Sequence, residues 1–138
     1  MKYRIDPNHV YATGFSNGAT FAYLLYTEWP MQFTAFAGVA GPATFLNYAD
    51  VSCPLLTING VNDPYVYPEL AATMKSEFLR ANQCSDIETS WQFNTDYTAY
   101  LPATPTGAPL IWYQHLVPGN HAWITGASEA TIAFFKEH

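Results

Sequence analysis

Basic charge is scarce in this chain. Five Lys plus Arg stand against eleven Asp plus Glu, a formal net charge of −6. Binding to nucleic acid or to an anionic membrane surface draws on clustered Lys and Arg, so both partners are excluded as expectations. Cysteine is scarcer in number, with two residues. Cys53 and Cys84 are separated by 31 positions, with no CxxC and no Cys/His ligand spacing, so no metal site is expected. Two free buried thiols are the favoured reading, and a disulfide is left open. No apolar run approaches the roughly 20 residues of a membrane span. The opening MKYRIDPNHV has no apolar signal-peptide core, which makes the chain as given cytoplasmic by expectation. No cofactor motif is present, and none is expected to be needed.

Apolar content is 49%, which argues against disorder, and 138 residues suffice for one domain with its own core. Mostly apolar runs at 9–14, 34–40, 54–59 and 110–117 read as strands of a parallel sheet covered on both faces. Helices are expected at 17–28, 68–82 and 126–136, the second carrying Leu70, Met74 and Phe78 on one stripe. The predicted fold class is α/β, a mostly parallel sheet of about four strands with flanking helices, in one domain over 1–138. The connection from Gly41 to Pro54 is short for a crossover and reads as a loop. The segment 90–109 holds Trp91, Phe93, Tyr97 and Tyr100, then PATPTGAP. So long a stretch without evident structure is either a cap over the site or a wrapping loop.

The densest chemistry lies at GFSNG, Gly14–Gly18, which matches the G-x-S-x-G strand-to-helix turn that exposes a nucleophilic serine. HVYAT before it reads as a strand and ATFAYLLYTEW after it as a buried helix. Gly14 and Gly18 are expected to be bare so that strand and helix can approach. Ser16 is the candidate nucleophile, and the backbone N–H of Asn17, the next residue, a candidate oxyanion donor. A serine needs a base, and the base needs a partner that fixes its tautomer. Asp63 follows the run PLLTING and His121 follows LIWYQHLV, so both sit after strand ends, where open α/β sheets place their sites. The chain order Ser, Asp, His is that of the elbow architecture. Of the other histidines, His115 lies within the last strand, His9 begins the first, and His138 is terminal. Aromatics make up 17% of the chain, and Phe15, Tyr65 and Trp123 neighbour the three candidates in sequence. They are the expected pocket wall.

The stretches IDPNHVYATGFSNGA, NGVNDPYVYP, PGNHAWI and ATIAFFKEH resemble, in order, four segments of one family. These are the elbow, the aspartate turn, the histidine turn and the closing helix of the polyhydroxyalkanoate depolymerase and feruloyl-esterase-like α/β-hydrolases, a carbohydrate-esterase group. The resemblance implies a reduced α/β-hydrolase fold corresponding to the family's C-terminal half. It implies Ser16 as nucleophile, Asp63 as orienting acid and His121 as base in a serine esterase acting on a small-molecule carboxylic ester. Asn59 stands where the family has histidine, and Ile124 where it has proline. Only 15 residues precede Ser16, and no H-G-x-G-type loop occurs to supply a second oxyanion donor. That absence supports a competing expectation, a non-catalytic half-domain that binds a partner. It also predicts that strand 9–13 is an open edge, and hence a homodimer.

Overall fold

A computed structural model describes residues 3–44 and 52–138. Asp50 and the middle of the Gly41–Pro54 connection lie outside the described residues. The elements run β1 (Tyr11–Phe15), α1 (Asn17–Glu28), a 3-10 turn (Pro30–Gln32), β2 (Ala35–Val39), β3 (Leu55–Gly60) and α2 (Pro68–Ala81). They continue with β4 (Thr89–Ser90), β5 (Thr98–Tyr100), β6 (Leu110–His115) and α3 (Ala127–Lys136). The sheet has six strands in the order β1-β2-β3-β6-β5-β4. Neighbours among β1, β2, β3 and β6 are parallel, while β5 and β4 continue the sheet antiparallel.

The central strands β2 and β3 are buried at every position, as expected for strands with both faces covered. One face packs under α1 and α2 through Tyr23, Tyr26, Phe36, Leu55, Met74, Phe78 and Leu110. The other packs under α3 through Val39, Leu56, Ile58, Ile111 and Phe134. All four expected strands and three helices form, to within two residues at most ends.

The sheet differs from the sequence expectation in having six strands rather than about four. The two additions, β4 and β5, lie in 89–100, at the start of the 90–109 segment and one residue before it. Strands of two and three residues are too short for alternation to register, so the sequence showed only a turn-rich tract. Trp91 and Tyr97 bury their rings on the α3 face, where Trp91 meets Phe134 at 6.2 Å. Tyr100 faces the opposite core, and its hydroxyl donates to Glu88 at 2.6 Å. The segment therefore extends the sheet at the edge opposite β1. It packs as sheet and does not cap Ser16.

Asn82, just past α2, ties these layers together. It is fully buried. Its Oδ1 accepts from the Tyr26 hydroxyl at 2.7 Å and from Cys53 N–H at 3.3 Å. Its Nδ2 donates to the carbonyls of Cys53 at 2.9 Å and Pro109 at 3.2 Å. One amide thus joins α1 to the lead-ins of β3 and β6. Asn82→Leu conserves volume but strands those partners, each a buried polar group worth about 1–3 kcal/mol when unpaired. Urea unfolding of that variant should show a loss of about 3 kcal/mol or more. A loss below about 0.5 kcal/mol, the range of an unremarkable surface change, would deny Asn82 this role.

The two cysteines are free thiols. Burial pushes the Cys53 thiol up to about 12 and the Cys84 thiol up to about 11.

Candidate active site

The site forms where β1, β3 and β6 end, at the carboxyl edge of the parallel strands. Ser16 occupies the single residue between β1 and α1, with φ 55° and ψ −119°. A positive φ costs a non-glycine residue on the order of 1–3 kcal/mol, and the neighbouring packing holds it. Ser16 N–H donates to Val39 O at 2.9 Å, which pins the turn to β2. Gly14 allows the turn to close, since a Cβ there would lie 2.2 Å from the Gly18 carbonyl carbon. Gly18 plays no equivalent part: a Cβ on it would meet nothing within 4 Å, so the close approach depends on Gly14 alone.

A serine before a helix usually caps it through its hydroxyl. Ser16 makes no such side-chain bond. Its Oγ lies instead 2.9 Å from His121 Nε2. His121 Nδ1 lies 2.9 Å from Asp63 Oδ2. A carboxylate only accepts, so Nδ1 carries the proton, and Nε2 is left to accept the Ser16 O–H. Asp63 is buried, and its other oxygen, Oδ1, accepts from Tyr65 N–H at 2.8 Å and Val66 N–H at 3.1 Å. The N-D-P turn chemistry thus fixes the carboxylate with one oxygen left for His121.

Two rings hold the imidazole. Phe15 packs with its centroid 5.2 Å from that of His121, and Tyr65 at 4.7 Å on a T-shaped approach. Ser16, Asn17, Pro42, Tyr65 and His121 line an open cleft of about 280 Å³. Asn17 is the first residue of α1, where backbone N–H groups have no partner within the helix. Phe15 packs on the His121 ring without lining the cleft, and Trp123 departs further from its expected place on the wall. Its Nε1 donates to Ser128 Oγ at 3.1 Å at the start of α3, and the ring does not line the cleft. Adjacency to His121 in sequence misled because the chain turns toward α3 within three residues. Pro42 was not singled out in the sequence; its position just past the end of β2, at the same carboxyl edge, was the available signal.

His115, the partner of Gly60 in the β3–β6 register, is buried. Its Nδ1 accepts from Val117 N–H at 3.3 Å. Burial lowers its pKa, and the Asp63 charge opposes that shift. Asn59 is also fully buried, so the departure from the family's histidine falls inside the sheet and not on the cleft wall. Among the described residues no group of His, Cys, Asp and Glu is placed to hold a metal ion.

No protein-family model matches the chain. "Putative esterase NocK" from Nocardia uniformis subsp. tsuyamanensis is 42% identical over 66 residues, covering 44% of this chain. The match spans only 19% of that relative's length. Among solved structures, acetyl xylan esterase from Aspergillus awamori superposes with a TM-score of 0.65 over 96% of this chain and 61% of that one. The fold is esterase-like. Sequence identity to that structure is 13%, so the likeness is one of architecture.

Proposed function

We propose that this chain is a serine ester hydrolase for short-chain carboxylic esters. The observation that carries the reading is the continuous chain of contacts from Ser16 Oγ through the His121 ring to Asp63, each link 2.9 Å. Ser16 Oγ attacks the ester carbonyl carbon, and its proton passes to His121 Nε2. Asp63 stabilises the imidazolium so formed. As the tetrahedral adduct collapses, His121 returns the proton to the departing alkoxide, leaving an acyl group on Ser16. His121 then takes a proton from water, the hydroxide displaces the acyl group as carboxylic acid, and Ser16 recovers its hydrogen. The Asn17 N–H faces the developing oxyanion.

The small cleft sets the acyl chain. Its volume falls just under the range of pockets that enclose drug-sized ligands, about 300–1,000 Å³. p-Nitrophenyl acetate should therefore be hydrolysed faster than the palmitate. A fluorophosphonate should phosphonylate Ser16, forming the Oγ–P bond with loss of fluoride, and mass spectrometry should place the adduct there. No adduct on Ser16, or faster palmitate hydrolysis, would contradict the proposal.

A second reading, a partner-binding half-domain, is supported by one observation. β1 is the outermost strand of the sheet, with a strand neighbour on one side only among the described residues. In that case the two partners of an expected homodimer would meet along β1, and the Ser16 contacts would carry no turnover.

A further inference from the structure

Gly60 is the last residue of β3 and touches both turns that carry the site. Its carbonyl accepts Asp63 N–H at 3.2 Å, which starts the aspartate turn. Its bare Cα lies under the histidine loop. A Cβ at this position would sit 2.2 Å from the Asn120 carbonyl oxygen and 2.8 Å from the Asn120 C and Cα. These are backbone atoms, which cannot swing aside as the tip of a side chain does.

The loop resting there has little slack. It leaves β6 with Val117 N–H on His115 Nδ1, and Val61 N–H in turn donates to the His115 carbonyl at 2.9 Å. Asn120 N–H reaches back to Val117 O at 3.1 Å. Gly119 and Asn120 then both take positive φ, 92° and 47°, and His121 N–H bonds to the Gly119 carbonyl. His121 follows directly, with its Nδ1 on Asp63 and its Nε2 on Ser16.

We infer that Gly60 is a positioning residue whose missing side chain sets the separation between Asp63 and His121. One carbonyl and one Cα of a single residue thereby govern two turns that lie 58 positions apart in the chain. The alternative is a glycine needed only for packing, which would alter stability but not the activity of each folded molecule. The magnitudes separate the two. Cβ contacts below 3.0 Å are essentially never seen, so the end of β3 and the Asn120 carbonyl must move apart by at least 0.8 Å (3.0 less 2.2). A displacement of about 1 Å in the reacting geometry costs roughly a hundredfold.

The kinetic arm of the test rests on the ester-hydrolase reading; the spectroscopic arm does not. Gly60→Ala should lower kcat on p-nitrophenyl acetate about a hundredfold with little change in KM. The downfield proton resonance of His121 Nδ1–H, bonded to Asp63, should shift or vanish while circular dichroism reports a retained fold. Asn120→Val disfavours the left-handed residue and displaces the same carbonyl without adding an atom to β3. It should give the same two changes, and the double variant should be no slower than the slower single, because both act through one displacement. Normal kcat and an unshifted resonance in Gly60→Ala would overturn the inference, as would losses that multiply in the double variant. Should Gly60→Ala fail to fold, Asn120→Val decides alone, and wild-type values there overturn it. If the unmodified protein hydrolyses no ester, the functional reading fails, while the resonance still reports whether Gly60 holds His121 to Asp63.

Discussion

Ser16→Ala is expected to lower kcat on p-nitrophenyl acetate by roughly four to six orders of magnitude, to the level of buffer. Ser16 Oγ makes one contact that matters, with His121 Nε2, and contributes no cap to α1. Alanine removes the attacking atom and little else. Stability should therefore stay within about 0.5 kcal/mol of the parent, as for a surface change. Ser16→Gly sharpens the test. At φ 55° glycine avoids a cost of about 1–3 kcal/mol, which equals or exceeds its own entropic penalty of about 0.5–1 kcal/mol. The glycine variant should be as inactive as the alanine variant and melt at least as high. Retention of more than about one per cent of activity by either would show that the nucleophile is another group.

Asp63→Asn should be nearly as damaging, about ten-thousandfold in kcat, with the fold intact. The amide oxygen can still accept Tyr65 N–H and Val66 N–H, so the turn survives. The amide nitrogen then faces His121 and donates where the carboxylate accepted. Nδ1 must become an acceptor, so the proton moves to Nε2, the atom that has to accept the Ser16 O–H. Base and nucleophile would then present hydrogens to each other. Steady-state kinetics at pH 8 with circular dichroism on the same sample decide the matter. A loss of less than tenfold would reduce Asp63 to a turn residue.

How far the molecule could be read from its sequence depended on the length scale of each signal. β2 and β3 are continuous apolar runs, and α2 carries a clear stripe, so these elements were legible. The meeting of Ser16, Asp63 and His121 was legible for a different reason. Each follows a strand end, and parallel strands bring all their carboxyl ends to one edge. β4 and β5 were not legible, because two or three residues cannot display a period of two. Trp123 was placed wrongly because neighbours along a loop need not face the same way; its indole N–H found Ser128 instead. Gly60 reads in sequence only as the end of a strand. Its significance lies in what rests on it, and Asn120 is 60 positions further along the chain.

The two thiols have a practical consequence. At pH 7–8 both are held almost wholly protonated, and the thiolate is the reactive form. Cys53 faces the carbonyls of Phe33 and Thr34, and Cys84 that of Ala108. The chain thus supplies a silent background for maleimide chemistry. A cysteine placed at exposed Thr106 or Met31 would take a fluorophore or a surface tether selectively, with both native sulfurs left in place.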